Sequence, residues 1–172
     1  SPKQVAKGAE IIFTSLPGPD EVREVALGDN SILDGASRDS VYIDLTTNSP
    51  RLIRRIHGIY RKCGVGVLDA PVSQGTDTRD RHKGTLTIMI GGDRDVYERV
   101  KPVLSVLGSE LLYCGKSGSG ALCKVINNVH LFTIHAALAE ALTLGVKAGV
   151  PIETLTKAIS LSSARSRPSE VF

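Results

Sequence analysis

Short apolar runs separated by longer helix-like segments dominate the first two thirds of the chain and constrain its fold more than any other feature. The runs occupy residues 10–15, 40–44, 64–69, 85–90 and 110–114. They are continuous rather than alternating in polarity, which is typical of strands buried on both faces of a parallel sheet. The segments between them, of which 50–63 is the clearest, repeat apolar residues every three or four positions and predict helices. The pattern predicts an α/β fold with a doubly wound parallel sheet.

A single long helix is predicted after the last of these strands. From residue 121 onward apolar residues recur every three or four positions, and no proline interrupts the segment before Pro151. A helix from there to residue 149 measures roughly 45 Å at about 1.5 Å per residue, enough to connect two domains. We therefore expect an α/β part at residues 1–114 and, at residues 115–172, the long helix with the start of an all-α domain.

The long helix carries polar groups near its beginning. Lys124 and Asn128 are four residues apart and share one face, with Asn127 beside them. These residues are either a solvated helix start or a site in which an amine and a carboxamide stand side by side. The adjacent asparagines weaken the first interpretation, because asparagine is a poor helix former that prefers a hydrogen-bonding partner.

Distinctive loops follow the first three strands, at the carboxyl ends where an open parallel sheet binds its ligands. The loops contain Leu16 and Pro17, Thr46 and Thr47, and Ser73, Gln74 and Gly75. Ser73, with the backbone N–H groups of the two residues after it, can form a small nest for a carboxylate. Each of these is an ordinary turn residue when taken alone, but their joint position at strand ends favours a binding cleft.

Composition argues against several classes of function. The 172 residues are 41% hydrophobic and 23% charged, with a formal charge of +3, 4% aromatic residues and no tryptophan. This is a globular composition with little support for stacking on nucleic acid. No apolar run reaches membrane length and no leader is visible, so we expect a soluble protein without membrane partners.

The three cysteines, Cys63, Cys114 and Cys123, are odd in number and lack C-x-x-C spacing. They argue against a disulfide framework and against a zinc site. We therefore expect no metal, and a reducing compartment such as the cytoplasm or an organelle matrix. The chain has no initiator methionine and no visible terminating element, so we also expect a piece of a longer protein, truncated at both ends.

No G-x-G-x-x-G motif lies between a strand and a helix, where a dinucleotide fold requires it. The glycines at residues 115–120 come close in form, but they precede a helix that leaves the sheet, and we interpret them as a turn between domains. If the sheet binds a dinucleotide, its first βαβ unit lies outside this chain.

Three segments together resemble the β-hydroxyacid dehydrogenases, a family that includes 3-hydroxyisobutyrate dehydrogenase and tartronate semialdehyde reductase. They are Asp-Ala-Pro-Val-Ser-Gln-Gly at 69–75, Gly-Thr-Leu-Thr-Ile-Met-Ile-Gly-Gly at 84–92 and Gly-Ser-Gly-Ala-Leu-Cys-Lys-Val-Ile-Asn-Asn at 118–128. The resemblance covers essentially the whole chain. It implies part of a Rossmann-like sheet followed by the start of an all-α substrate and dimerisation domain, through which the protein forms a homo-oligomer.

The same resemblance implies an oxidoreductase that transfers a hydride between NAD or NADP and a small 3-hydroxy acid. The implied roles are Lys124 as general acid/base, Ser73, Gln74, Gly75 and Asn128 as substrate-binding residues, and Leu16, Pro17 and Thr46 as residues near the nicotinamide ribose of the cofactor. A lysine suits its role because oxidation of a hydroxyl releases a proton that a neighbouring amine can accept. Burial between domains lowers the pKa of such an amine and makes it a better base near neutral pH.

Two departures from the family pattern concern the substrate. Gln74 stands where the family usually has glycine, and residues 76–83 are strongly charged where small residues are usual.

The alternative interpretation is a catalytically inactive, dehydrogenase-like module that binds a ligand or partner. Lys124 argues against that alternative, because such a module does not need the amine. The sequence leaves the choice between NAD and NADP and the identity of the hydroxyacid open.

Overall fold

The computed structural model of the chain describes residues 1–74 and 86–166. The chain divides into two compact units, Ser1–Val125 and Ile126–Phe172. The sheet lies entirely in the first unit. The domain boundary expected after residue 114 stays a prediction.

Strands and helices alternate along the described residues. The strands are β1 (Ile11–Thr14), β2 (Val41–Asp44), β3 (Gly66–Asp69), β4 (Val72–Gln74), β5 (Leu86–Gly92) and β6 (Glu110–Gly115). The helices are α1 (Pro2–Ala6), α2 (Pro19–Leu27), α3 (Pro50–Lys62), α4 (Arg94–Leu107), α5 (Ser119–Lys147) and α6 (Ile152–Ser160). Every strand predicted from an apolar run is present, although β6 contains no fully buried residue.

The sheet is mostly parallel, as predicted. β1, β2 and β3 lie side by side and run in the same direction, and β6 runs parallel to β5. The strand order is β1-β2-β3-β5-β4, with β6 paired to β5. A parallel-dominated sheet alternating with helices confirms the α/β, Rossmann-like fold class.

The direction of β5 and the existence of β4 differ from the expectation. β5 runs antiparallel to both β3 and β4, whereas the sequence predicts a parallel sheet. A continuous apolar run indicates burial on both faces but carries no information on direction. The sequence does not predict β4, because the strand has three residues and follows Pro71, a residue that cannot donate to a ladder. Ser73 therefore lies in a strand rather than in a loop.

Helices cover both faces of the sheet, and successive residues of one strand contribute to two cores. Tyr42 of β2 packs with α2 and α3 in one apolar cluster, whereas Val41 and Ile43 pack with α4 in the other. Tyr60 of α3 is fully buried, and its hydroxyl donates to the carbonyl oxygen of Ala26 at 2.8 Å. Each large apolar side chain buried in this way stabilises the fold by about 1.5–3 kcal/mol. The two cores hold the central strands in place and so fix the edge at which they end.

The apolar residues of α5 are distributed all around the helix, between a few polar ones. In the second unit Val129, Phe132 and Leu144 expose 61%, 65% and 72% of their surfaces. By length and composition alone α5 is apolar enough to cross a membrane, with a mean hydropathy of 1.5, which corrects the sequence-based statement that no apolar segment reaches membrane length. The core helix of a soluble protein meets the same criterion. A helix that is apolar all round needs protein or lipid around it.

Candidate active site

The parallel strands β1, β2 and β3 end at one edge of the sheet. Their register pairs Thr14 with Asp44 and Asp44 with Asp69, so the loops after these strands begin side by side. Open α/β sheets bind ligands at this edge. The loops that carry the predicted cofactor and substrate residues therefore start from one place, while their binding roles stay predictions.

A buried carboxyl group organises the loop after β2. Asp44 is fully buried and accepts a hydrogen bond from the Thr14 hydroxyl at 2.9 Å. It also accepts from the backbone N–H of Thr46 at 3.1 Å and from the side-chain amide of Asn48 at 2.8 Å. Three donors offset the cost of removing the carboxyl group from water. The loop is consequently held against both its own strand and β1.

The structure brings two of the three predicted cofactor residues into direct contact. The backbone N–H of Leu16 donates to the hydroxyl oxygen of Thr46 at 3.0 Å. Thr46 is buried, Leu16 is half-buried, and Pro17 is exposed immediately after it. Thr46 therefore holds the loop after β1 in place, and the exposed surface at this point comes from the Leu16–Pro17 side. The sequence feature that singled out these residues was the position of their loops directly after strands.

The sequence does not predict the role of the buried carboxyl group at the end of β3. Asp69 is 1% exposed. Its Oδ1 accepts from the backbone N–H of Gly118 at 2.8 Å, and its Oδ2 accepts from the N–H of Ala121 at 2.8 Å. Burial raises the pKa of the Asp69 carboxyl, and these N–H groups act in the opposite direction. Asp69, at the end of β3, therefore binds the amino end of α5, which lies about 50 residues further along the sequence.

This contact decides what the glycine-rich turn before α5 can do. A helix amino end with free N–H groups is a phosphate-binding site. Here the N–H groups of Gly118 and Ala121 already donate to Asp69, and Gly118 adopts a φ of 83° that favours glycine. The turn therefore joins α5 to the sheet rather than offering these N–H groups to a pyrophosphate, while its interpretation as a turn between domains stays a prediction.

Lys124 lies three residues after Ala121, within the anchored start of α5. It is half-buried, and burial lowers the pKa of its amine. A lysine with a lowered pKa is neutral in a larger fraction of molecules near neutral pH and can accept a proton there. A lowered pKa is one property that a general base near neutral pH requires, and the catalytic role of Lys124 itself stays a prediction.

The predicted substrate residues are only partly brought together. Ser73 is half-buried in β4 and pairs with Thr87 of β5. The backbone of Gln74 pairs with Leu86, and Gly75 lies outside the described residues. The predicted nest formed by the N–H groups of these two residues therefore stays a prediction.

The amino end of α5 packs against β5, the strand that pairs with Ser73. A Cβ added at Gly120 would overlap the carbonyl oxygen of Met89. Asn128 lies on α5 in the second unit, where its Oδ1 accepts from the Asn127 amide at 3.4 Å. The strand of Ser73 and the helix of Lys124 are therefore in contact through β5.

A cavity of about 600 Å³ lies at the opposite edge of the sheet. It is lined by residues at the amino ends of β1 and β2, including Ile11 and Val41, and by Arg99 of α4. Because parallel α/β sheets bind ligands at the carboxyl edge, its size does not make it the active site.

Across residues 1–74 and 86–166 no group of three or more His, Cys, Asp and Glu side chains is placed to hold a metal ion.

The sheet and its carboxyl-edge loops define a nucleotide-binding α/β domain of the Rossmann type. Residues 1–115 match the family model of the NAD-binding domain of 6-phosphogluconate dehydrogenase. Residues 118–171 match the model of the NAD-binding domain of NADP-dependent 3-hydroxyisobutyrate dehydrogenase. The chain belongs to the β-hydroxyacid dehydrogenase family, as its sequence motifs indicate. The expected nicotinamide cofactor, NAD or NADP, is confirmed for the family by the same models.

Named relatives agree with this assignment. The chain is 40% identical over 164 residues to 2-(hydroxymethyl)glutarate dehydrogenase of Eubacterium barkeri, covering 95% of the chain and 54% of that protein. It is 34% identical over 172 residues to mitochondrial 3-hydroxyisobutyrate dehydrogenase of Mus musculus, covering 100% of the chain and 51% of that protein.

A solved structure shows the same fold. The 3-hydroxyisobutyrate dehydrogenase of Mycobacterium tuberculosis with L-serine superposes with a TM-score of 0.80 at 32% identity, covering 96% of this chain and 55% of that one. The chain therefore spans about half the length of the relatives it matches.

Proposed function

We propose that the protein containing this chain is an oxidoreductase that transfers a hydride between NAD or NADP and a small 3-hydroxy acid, with Lys124 as general acid/base. The observation that carries the proposal is a half-buried lysine with a lowered pKa on a helix anchored to the carboxyl edge of the sheet. Family membership supports it. The proposal assigns Leu16, Pro17 and Thr46 to the nicotinamide ribose of the cofactor.

The step assigned to this chain's own residues is the proton transfer. A bound NAD or NADP would supply the acceptor for the hydride on the carbon that bears the hydroxyl, and Leu16, Pro17 and Thr46 would lie beside its nicotinamide ribose. The hydroxyl proton moves to the neutral amine of Lys124 as the carbonyl forms, and it returns from the ammonium in the reverse direction. A side chain that is half-buried changes charge at a lower pH than a fully solvated lysine. Lys124 can therefore serve both directions.

The names of the relatives support a substrate class. The names of two relatives contain 2-(hydroxymethyl)glutarate and 3-hydroxyisobutyrate, and the solved relative of Mycobacterium tuberculosis was obtained with L-serine. All three molecules carry a hydroxymethyl group on the carbon next to a carboxylate. We infer that this chain's substrate shares that unit, as both 3-hydroxyisobutyrate and the reduced form of tartronate semialdehyde do. Ser73, Gln74, Gly75 and Asn128 are the residues proposed to bind its carboxylate and hydroxyl.

The test is turnover of Lys124→Ala compared with Lys116→Ala, both in the protein as its native gene encodes it. Lys116 is an exposed lysine in the turn before α5 and is a matched control. General acid/base catalysis contributes about 10²–10⁴-fold to rate. We therefore expect kcat of Lys124→Ala to fall by at least about 10²-fold and kcat of Lys116→Ala to be unchanged. Circular dichroism checks that both variants are folded.

Two results would contradict the proposal. Activity of Lys124→Ala within roughly tenfold of the parent, about 1.4 kcal/mol of barrier, rules the lysine out as the acid/base. Binding of NAD or NADP by the unsubstituted protein with no turnover of any hydroxymethyl carboxylate favours the alternative, a binding module without catalysis. Isothermal titration calorimetry with each cofactor distinguishes that case from a misfolded sample.

We also propose that a second copy of the protein covers the apolar sides of α5, so that the protein is a homo-oligomer. Val129, Phe132 and Leu144 are too exposed for an isolated water-soluble helix. Sedimentation of the native protein is expected to show at least a dimer, and Phe132→Glu is expected to weaken it. A monomer at micromolar concentration would contradict this. The three cysteines are free, which fits the reducing compartment proposed for the protein.

A further inference from the structure

Asp69 is a buried acidic side chain that the reaction proposed above does not use. A carboxylate withdrawn from water is costly unless it is hydrogen-bonded. Asp69 is 1% exposed, and its two oxygens accept from Gly118 and Ala121, each at 2.8 Å. The amino end of a helix also favours negative charge through its aligned peptide dipoles. Asp69 therefore acts as a cap for α5 supplied by a strand, rather than by a residue that precedes the helix.

The contact is built so that no side chain separates the strand from the helix. A Cβ added at Gly91 of β5 would lie 2.7 Å from both carboxylate oxygens of Asp69 and 2.7 Å from the backbone nitrogen of Gly120. A Cβ added at Gly120 would lie 2.7 Å from the carbonyl oxygen of Asp69. These distances are shorter than van der Waals contact. Glycine at both positions is therefore what allows β3, β5 and α5 to meet at the carboxylate.

The anchored turn leads directly to the amine. Lys124 follows Ala121 by three residues, which is one turn of α-helix and a rise of about 4.5 Å. Since the N–H of Ala121 is bound to Asp69, the backbone of Lys124 is tied to the end of β3 through one rigid turn. If this turn frays, the amine is displaced and gains access to water.

We propose that Asp69 is the positioning residue for Lys124: it sets where the amine stands relative to the carboxyl edge of the sheet. This inference rests on the function proposed above. Because Asp69 is 1% exposed and both its oxygens accept from the start of α5, its effect on the reaction is assigned to the position of Lys124. A purely structural anchor would affect how much of the protein is folded, but not the chemistry of the folded molecules.

The experiment compares Asp69→Asn, Gly91→Ala and the control Asp34→Asn in the protein as its native gene encodes it. Asp69→Asn keeps one accepting oxygen but turns an amide NH₂ toward a backbone N–H. Gly91→Ala pushes the carboxylate away without removing a charge. Asp34 is exposed, accepts the N–H of the buried Ser31 at 3.0 Å and is not part of the site.

Two quantities are measured on the folded fraction: kcat with KM for each reactant, and the pH dependence of acetylation of Lys124 by acetic anhydride, followed by mass spectrometry. Because a displacement of about 1 Å can cost 10²-fold in rate, we expect kcat to fall at least tenfold in Asp69→Asn and Gly91→Ala, with KM for the cofactor within twofold. The midpoint of Lys124 acetylation is expected to move up toward the ordinary value of 10.5. Lys116 acetylation and the Asp34→Asn variant are expected to be unchanged.

The two proposals fail in different ways. If Asp69→Asn and Gly91→Ala lower only the melting temperature, with kcat and the Lys124 midpoint unchanged, Asp69 is a structural anchor and the inference is wrong. The same holds if Asp34→Asn shifts the midpoint equally. If Lys124→Ala stays active, the proposed function is wrong, while the acetylation midpoint still reports whether Asp69 places the amine.

Discussion

Two buried aspartates stand at the same level in neighbouring strands and have different roles. Asp44 of β2 and Asp69 of β3 are register partners, and each ends its strand. The donors to Asp44 are on adjacent structure: Thr14 of the next strand, and Thr46 and Asn48 of the loop that follows. The donors to Asp69 are the backbone N–H groups at the start of α5.

The difference shows how one residue type at one position can support two parts of a site. The Asp44 group holds the loop that carries Thr46, and through it Leu16, on the side predicted to bind the cofactor. The Asp69 group holds the helix that carries Lys124, on the side predicted to handle the proton. We therefore expect changes near Asp44 to alter cofactor binding and changes near Asp69 to alter the chemical step.

Removal of the Asp44 carboxyl group is expected to have the largest effect. Asp44→Ala leaves three donors in a buried place without their acceptor, and each such group costs about 1–3 kcal/mol. We expect a loss of at least about 3 kcal/mol in the free energy of unfolding, measured in urea. In the folded fraction KM for the cofactor should rise while the pH profile of kcat stays in place. A pH profile that moves instead would remove the distinction between the two aspartates.

A matched pair of glycine substitutions probes the Asp69 side. Gly120→Ala adds a methyl group that overlaps the Met89 carbonyl and crowds Asp69, whereas Ala at the helical position Gly58 meets no atom within 4 Å. Overpacking costs about 1–3 kcal/mol, while Gly to Ala at an unstrained helical position stabilises by about 0.4–1 kcal/mol. We expect opposite changes in the free energy of unfolding. Equal signs would contradict the close packing of α5 on the sheet.

The contact between the first two loops is expected to give a smaller effect. Thr46→Val removes the oxygen that accepts the Leu16 N–H, and a hydrogen bond of this kind contributes about 0.5–1.5 kcal/mol. We expect a similar loss of stability and a several-fold increase in KM for the cofactor, with kcat nearly unchanged. Thr46→Ser keeps the oxygen and is the control. If the two variants behave alike, the hydroxyl is not what holds the loop.

The smallest effect is expected for the pH dependence of the unsubstituted protein. Oxidation needs the neutral amine of Lys124, so kcat/KM for the hydroxyacid should rise with pH. Burial lowers the pKa of Lys124 below the ordinary value of 10.5, and the rise should therefore level off below that pH. In the reductive direction, which needs the ammonium, the same group should make the rate fall as pH rises. A profile with its midpoint at 10.5 or above would contradict the proposed base.

Much of the fold could be predicted, because buried strands are continuous apolar runs in the sequence and buried helix faces repeat apolar residues every three or four positions. The run that became β2 is buried at all four residues, with helices on both faces of the sheet, whereas β1 and β6 keep exposed apolar residues such as Phe13 and Leu112. The direction of β5 could not be predicted, because a run buried on both faces looks the same in either orientation. β4 is too short to leave a pattern.

The candidate site was proposed on different grounds. Leu16 and Thr46 were singled out by the joint position of their loops at strand ends, and the roles of both and of Lys124 came from the resemblance of contiguous motifs to the family. Asp69 was visible only as the last residue of a strand. Its partners lie 49 and 52 residues further along the chain, and no local spacing indicates which carboxyl group caps which helix.

The sequence by itself determined the α/β class, the long helix and the family, since these depend on local periodicity and on motifs that are contiguous in the chain. Only the tertiary structure decided that Asp44 and Asp69 stand side by side and that the second of them holds the helix of Lys124. Strand register and helix docking bring together residues that are distant in sequence. A carboxylate finds its donors through that packing rather than through its neighbours in the chain.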